Sequence, residues 1–129
     1  MNVFITGAGG YIGGSVANAF VKNGHKVRGL TRTSAGAQQL TAYGINPVVG
    51  DLDDSRLLIH EASMADLVIN TANADHRAAV ESLISGLKNS GKRLIHTSGT
   101  SIVGDDARGE FCSEIIFSEE TPLTIDPRK

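Results

Sequence analysis

Three glycines near the start of the chain have a spacing that suits the binding of a phosphate group. They occupy positions 7, 10 and 13, behind the apolar run Val3-Phe4-Ile5 and ahead of a helical pattern. Glycines at this spacing let the backbone turn sharply, approach a pyrophosphate closely and pack the new helix against the strand. The first-turn N–H groups and the positive end of the helix dipole then face the anion. The sequence therefore predicts a dinucleotide-binding loop whose residues are Gly7, Gly9, Gly10, Tyr11, Ile12 and Gly13.

The end of the second predicted strand, about 20 residues beyond the loop, carries the next informative side chain. An Asp or Glu there would hydrogen-bond the adenosine ribose and favour NAD, but this chain has Thr31-Arg32-Thr33-Ser34. The guanidinium of Arg32 is a planar donor fork that suits a 2′-phosphate. The sequence therefore predicts NADP in preference to NAD. The alternative is an arginine that simply faces solvent at a strand end.

Two further segments follow the third and fourth predicted strands, at the carboxyl edge of the sheet. Asp51 can accept a hydrogen bond from an adenine amino group while Leu52 flanks the ring. Alternatively, Asp51 marks a helix start together with Asp53 and Asp54. The small, polar segment Asn70-Thr71-Ala72 would line the path of the cofactor toward its nicotinamide end, or form an ordinary turn. The predicted cofactor-binding residues of these two segments are Asp51, Leu52, Thr71 and Ala72.

A run of hydroxyl side chains follows the fifth predicted strand, in the segment His96-Thr97-Ser98-Gly99-Thr100-Ser101. Hydroxyls at the carboxyl edge could polarise a substrate carbonyl during hydride transfer. Serine and threonine also occupy ordinary turns, which is the alternative interpretation. The predicted catalytic residues are Ser98 and Thr100, with Ser101 as a further candidate.

The pattern of apolar residues predicts the elements that position these side chains. Short apolar runs alternate with helical patterns, which favours strand–helix units and a parallel sheet. The predicted strands are 3–5, 27–31, 47–49, 67–69 and 94–96, and the predicted helices are about 11–23, 34–40, 55–63 and 74–89. Right-handed crossovers place the strands in the order 3-2-1-4-5. The fold class predicted is therefore α/β, an open parallel sheet of the Rossmann type with helices on both faces.

Helical spacing also predicts which side of each clear helix is buried. In the first helix, Ile12, Val16 and Phe20 fall one turn apart on a single face. In the fourth helix, which Gly91 is predicted to end, the apolar stripe comprises Val80, Leu83, Ile84 and Leu87.

Composition limits the classes of protein that this chain can be. It has 129 residues, 40% hydrophobic and 20% charged, which is ordinary for one soluble globular domain. The net charge of −2 gives no electrostatic reason to expect nucleic acid or an anionic membrane as a partner. The single Cys112 and the lack of a signal-peptide pattern predict a cytoplasmic location. The four histidines are too scattered to predict a metal site.

The helical and strand patterns fade beyond Gly104. Residues 105–129 carry three Lys or Arg and seven Asp or Glu, which is typical of a solvated surface segment. We therefore predict that residues 1–104 form an NAD(P)-binding domain and that residues 105–129 are an acidic, irregular C-terminal segment of the same domain.

The chain resembles the N-terminal portion of a short-chain dehydrogenase/reductase of the extended or atypical type, the NAD(P)-dependent epimerase/dehydratase group. Thr6-Gly7-x-x-Gly10-x-x-Gly13 matches the cofactor motif of that family, Asp51-Leu52 matches its adenine-contact pair, and residues 96–104 are similar to its fifth-strand segment. The resemblance implies NADP or NAD as the cofactor, oxidoreductase or epimerase chemistry, and a small-molecule substrate. Family members are usually longer, so it also implies a sheet truncated here after strand five and a substrate-binding part that lies elsewhere.

Two departures from the family pattern concern catalysis. The family's catalytic centre contains a Tyr-x-x-x-Lys pair, but Tyr11 and Tyr43 are followed four residues later by Ser15 and Pro47. The catalytic serine of the family is often the second of two adjacent serines, a position that Gly99 occupies here. We therefore expect the chain alone to be inactive. Three functions stay open: the cofactor domain of a reductase, a non-catalytic NADP-binding regulator or sensor, and an inactive fragment of a longer reductase. The oligomeric state is also open.

Overall fold

The computed structural model describes residues 1–103 and 116–122, in which strands and helices alternate from the first residues. The chain divides into two units, Met1–Thr97 and Ser98–Lys129. The elements of the first unit are β1 Asn2–Thr6, α1 Tyr11–Lys22, β2 Lys26–Thr31, α2 Ser34–Ala42, β3 Asn46–Val49, α3 Ser55–Met64, β4 Leu67–Asn70, α4 Arg77–Leu87 and β5 Arg93–His96. The second unit contains a short 3-10 helix, Thr100–Val103. The domain boundary predicted after residue 104 stays a prediction.

The five strands form one parallel sheet in the order β3-β2-β1-β4-β5, which confirms the predicted topology. The register pairs Thr6 of β1 with Asn70 of β4, and Asn70 with His96 of β5. The carboxyl ends of these three strands are therefore level. The loops that follow β1, β2, β3 and β4 all leave the same edge of the sheet, where ligands of open α/β folds bind.

Helices cover both faces of the sheet. Neighbouring residues of β1 point to opposite sides, so each face buries different residues of this strand. Val3 and Ile5 belong to a core cluster that includes residues of α1 and α2, among them Ala17 and Leu40. Phe4 belongs to a second cluster that includes residues of α3 and α4. The central strand is thus buried on both faces, as its continuous apolar run predicts.

The predicted buried faces of two helices are partly wrong. Ile12 is exposed, and Gly13 and Ala17 are the buried residues of α1, with Val16 and Phe20 packed beside them. In α4, Ile84 is exposed while Leu83 and Leu87 are buried. In each helix a glycine packs tightly against a neighbouring segment, a contact that an apolar stripe does not reveal. Gly86 makes this contact in α4, where an added Cβ would lie 2.5 Å from the carbonyl oxygen of Ile59 in α3.

The ends of α4 also differ from the prediction. The helix begins at Arg77, three residues later than predicted, because residues 73–76 form a turn and the His76 side chain caps the helix. It ends at Leu87, and Asn89 then adopts a left-handed conformation with φ of 58°. The chain therefore leaves the helix before Gly91, the residue predicted to end it.

One ion pair of the described residues joins a strand to a helix on the face that α3 and α4 cover. Nε of Arg28 on β2 donates to Oε2 of Glu61 on α3 at 2.6 Å, and Nη2 donates to Oε1 at 2.8 Å. The Glu61 side chain is only 5% exposed, whereas that of Arg28 is 47% exposed. The hydrogen bond to Glu61 raises the pKa of Arg28 further above its usual range. The arginine therefore compensates a carboxylate that has lost most of its water.

Arg28→Ala is expected to lower the free energy of unfolding by about 1–3 kcal/mol, because it leaves the buried carboxylate of Glu61 unpaired. The partial exposure of Arg28 keeps the expected loss below that of a fully buried pair. Urea unfolding measures the effect. Arg77→Ala is the matched control, since it breaks a pair with Glu81 that lies on the surface of α4, and we expect it to leave stability nearly unchanged. Equal losses in the two variants would contradict this account.

Candidate functional site

The loop between β1 and α1 has the conformation that a phosphate-binding turn requires. Gly7 has a φ of +74°, and an added Cβ there would lie 2.8–2.9 Å from backbone atoms of Thr71 and Ala72. The N–H of Gly10 donates to the carbonyl oxygen of Gly7 at 2.9 Å and closes the turn. Gly10 caps α1 without a side-chain hydrogen bond. The first-turn N–H groups of α1 are therefore free of a side-chain cap and suited to an anion.

The remaining glycines of the loop serve two different purposes. At Gly13 an added Cβ would overlap the carbonyl oxygen of Gly7 and Oγ1 of Thr71, so this glycine lets α1 pack directly against the loop. At Gly9, by contrast, an added Cβ would meet no atom within 4 Å. The bare backbone at Gly9 borders open space in which a ligand could approach closely. The loop thus fits the phosphates of a dinucleotide.

A cleft of about 620 Å³ lies over this loop at the carboxyl edge of the sheet. Four segments line it: the glycine loop, the end of β2, the β3–α3 loop (residues 50–54) and the β4–α4 loop (residues 71–76). Seven of the predicted cofactor-binding residues meet here: Gly7, Gly9, Gly10, Arg32, Asp51, Leu52 and Ala72. The cleft therefore joins the residues predicted for the pyrophosphate, the 2′-phosphate and the adenine.

Four predicted cofactor-binding residues do not line the cleft. Gly13 and Thr71 lie behind the loop and support it, since Oγ1 of Thr71 donates to the carbonyl oxygen of Thr6 at 2.7 Å. Tyr11 and Ile12 begin α1 with exposed side chains, and Tyr11 borders a neighbouring depression of about 290 Å³ between α1 and α2. Any role of these two residues in the cleft belongs to their backbone N–H groups.

A partly buried hydrogen-bond network holds the end of β4 beside the cleft. Oγ1 of Thr6 donates to Oδ1 of Asn70, and Nδ2 of Asn70 is 2.9 Å from Nδ1 of His96. The same Oδ1 also accepts from the N–H of Ala72 at 3.3 Å. This fixes the backbone of Ala72, which borders the cleft. The sequence signal was available, since three polar residues end three neighbouring strands, but only the register shows that they meet.

Sequence reasoning missed several residues that line the cleft: Leu30, Thr31, Asp53, Asn73 and His76. All five lie at the carboxyl end of a strand or in the loop that follows it, which is the signal that could have found them. Asp53 and His76 are the titratable residues of this set. From sequence, Asp53 has the ordinary explanation of a helix start, and His76 is one of four histidines too scattered to predict a metal site.

The predicted catalytic residues Ser98 and Thr100 belong to the second unit. Ser98 lies in irregular backbone and Thr100 begins the 3-10 helix, and both are exposed. Their catalytic role stays a prediction. Within residues 1–103 and 116–122, no helix combines the length and the apolar character needed to cross a membrane.

The first 109 residues, which include the whole glycine loop and the cleft, match the NmrA-like family. The chain belongs to the NmrA-like family. One relative in this group of similar proteins is the oxidase ucsJ of an Acremonium species, which is 39% identical over 119 residues, covering 84% of this chain and 34% of the oxidase.

Two solved structures share the fold of this NmrA-like chain. UDP-glucose 4-epimerase from Bifidobacterium longum, solved with NAD⁺ and UDP, has a TM-score of 0.73 at 18% identity, covering 96% of this chain and 43% of the epimerase. The binary complex of leucoanthocyanidin reductase with NADPH from Vitis vinifera has a TM-score of 0.60 at 21% identity, covering 74% of this chain and 35% of the reductase. Together with the NmrA-like family match and a ketoreductase relative from Stigmatella aurantiaca that is 29% identical over 118 residues, these folds confirm the predicted resemblance to the NAD(P)-dependent reductase and epimerase group.

The NmrA-like chain is short compared with its relatives. It spans between 34% and 45% of the length of four curated proteins that it matches. The chain therefore matches an NAD(P)-binding, oxidoreductase-like domain over less than half the length of these relatives.

Proposed function

We propose that the cleft over the glycine loop binds a nicotinamide dinucleotide and that this chain is the cofactor-binding domain of an NADP-dependent oxidoreductase. The observation that carries the proposal is that the glycine loop, Arg32 and the pair Asp51-Leu52 line one cleft of about 620 Å³. These groups are distant in the sequence, and each suits a different part of the same ligand. Their convergence supports a dinucleotide more strongly than the glycine spacing alone.

In this proposal the ligand lies across the carboxyl edge of the sheet. The pyrophosphate faces the first turn of α1, where the backbone of Gly9 and Gly10 allows close approach and the N–H groups of Tyr11, Ile12 and Gly13 are oriented toward an anion. The adenine amino group donates to the Asp51 carboxylate, and Leu52 flanks the ring. The nicotinamide end extends past Ala72, with Thr71 supporting that wall.

The preference for NADP rests on the end of β2. Arg32 lines the cleft, which favours a role in ligand binding over an arginine that only faces solvent. No carboxylate stands at the end of β2 to bind the ribose hydroxyls of NAD. Of the two structures with a similar fold, one was solved with NAD⁺ and the other with NADPH. They support a nicotinamide dinucleotide as the ligand, and the preference for NADP over NAD rests on Arg32.

A second candidate function is a non-catalytic NADP-binding regulator or sensor. The observation that favours it is the lack of any Tyr-x-x-x-Lys pair within these 129 residues. If the protein is instead an oxidoreductase, hydride transfer depends on Ser98 or Thr100, or on residues of a longer protein that also holds the small-molecule substrate. Loss of NADPH absorbance in the presence of simple ketones would exclude the regulator, whereas binding without turnover is compatible with both candidates, because the chain alone lacks the Tyr-x-x-x-Lys pair. The cytoplasmic location stays a prediction.

Gly9→Ala tests the proposed pyrophosphate position. The added methyl group meets no protein atom, so we expect the stability to stay the same. It projects instead into the space proposed for the phosphates, and overpacking there should weaken NADPH binding by about tenfold. Titration of NADPH, followed by the fluorescence of its reduced nicotinamide, gives the dissociation constants. Unchanged affinity in a folded Gly9→Ala variant would place the phosphates elsewhere.

A further inference from the structure

A contact across the cleft joins two of the loops that line it. His76 caps α4 at the end of the β4–α4 loop, and Asp53 lies in the β3–α3 loop. Nε2 of His76 is 3.1 Å from Oδ1 of Asp53. Both residues border the cleft beside Asp51 and Leu52, the pair proposed to hold the adenine.

The imidazole of His76 is held from two sides. Its Nδ1 accepts a hydrogen bond from the backbone N–H of Ala79 at 3.2 Å, which caps α4. A nitrogen that accepts from an N–H group carries no proton, so the proton of the neutral ring is on Nε2 and faces Asp53. One side of the ring is thus fixed to the start of a helix, and the other side is available to hold the opposite loop.

Asp53 passes this restraint on to the residue proposed to contact the adenine. The backbone N–H of Asp53 donates to Oδ1 of Asp51 at 3.1 Å. A shift of the β3–α3 loop at Asp53 would therefore also move the Asp51 carboxylate. The contacts run from α4 through His76 and Asp53 to Asp51.

We propose that His76 and Asp53 form a clasp that holds the β3–α3 loop in the conformation that receives the adenine half of the dinucleotide. The proposal rests on the proposed function and adds two positioning residues to it. A loop that is already ordered loses less conformational freedom when the ligand binds. Because the Asp53 side chain is 83% exposed, the pair contributes little to the stability of the fold. Its effect is therefore expected in binding.

Electrostatic repulsion alone predicts that loss of the Asp53 carboxylate strengthens binding, the opposite of what the clasp predicts. Removing the negative charge of Asp53 from the rim of a cleft that holds an anionic ligand should strengthen binding, because like charges repel. The clasp predicts weaker binding after the same change. The sign of the effect therefore separates the two explanations.

The test uses Asp53→Ala, His76→Asn and the double variant, with adenosine 2′,5′-bisphosphate and NADPH as calorimetric probes. Asparagine at position 76 keeps an acceptor for the N–H of Ala79 but is too short to reach Asp53. Each single variant is expected to lower the affinity for both probes by about two- to fivefold. The double variant should bind no more weakly than either single variant, since both changes break one contact.

Asp75→Ala is the control, because it removes a carboxylate of the same β4–α4 loop that does not line the cleft. It should bind both probes as tightly as the unmodified chain, and all variants should unfold at nearly the same temperature. Additive losses, unchanged affinity or tighter binding by Asp53→Ala would overturn the clasp alone. Failure of the unmodified chain to bind either probe would overturn the proposed function as well.

Discussion

Gly13→Ala is expected to lower the free energy of unfolding by about 1–2 kcal/mol. Overpacking a tight site costs about 1–3 kcal/mol, and at Gly13 the added Cβ would overlap the backbone carbonyl of Gly7, which cannot move as a flexible side chain can. Alanine is the better helix former by about 1 kcal/mol, so this gain offsets only part of the cost. The overlap therefore decides the sign of the effect.

Chemical unfolding of Gly13→Ala beside Gly14→Ala isolates this effect. Both variants change glycine to alanine in the first turns of α1, but an added Cβ at Gly14 would lie 3.3 Å from the carbonyl oxygen of Ala8, a contact that a small shift relieves. We expect Gly14→Ala to be as stable as the unmodified chain or slightly more stable. A Gly13→Ala variant with unchanged stability would mean that α1 does not pack against the loop as described.

Arg32→Gln is expected to weaken NADPH binding by about ten- to a hundredfold and to leave NADH binding nearly unchanged. A hydrogen bond to a charged group contributes about 1.5–3 kcal/mol, which corresponds to that range of affinity. Only NADPH carries the 2′-phosphate that the guanidinium is proposed to bind, so only its affinity should fall. Titration of both reduced cofactors at one salt concentration measures the difference.

The control for Arg32→Gln is Arg56→Gln, which removes the same charge from an exposed position on α3 that does not line the cleft. It should leave both affinities unchanged. A parallel loss of NADPH and NADH binding in Arg32→Gln would show that the arginine acts on a part of the ligand that the two cofactors share. If neither affinity changes in Arg32→Gln, Arg32 is a solvent-facing residue with no role in binding.

The fold was predictable from sequence because its signals are local. The apolar run of β1 and the glycines behind it specify a strand, a tight turn and a helix without reference to distant residues. The dinucleotide-binding glycine motif after β1 then indicates the doubly wound strand order, with right-handed crossovers. The carboxyl edge follows from that order, so the sequence alone predicts that Arg32, Asp51 and Ala72 lie at one site.

The remaining details depend on contacts between distant segments. Ile12 is exposed because Gly13 lets α1 pack closely against the loop. Helical spacing gives no information about this packing. The late start of α4 follows from a cap by His76, a residue type that is not among the usual N-caps. The network of Thr6, Asn70 and His96 could be predicted only if the register of the three strands were known.

The most direct test of the central claim is a side-by-side titration of the unmodified chain with NADPH and NADH. The cleft with its glycine loop predicts that both bind, and Arg32 predicts that NADPH binds more tightly by about tenfold or more. A chain that is folded but binds neither cofactor would contradict the proposed function.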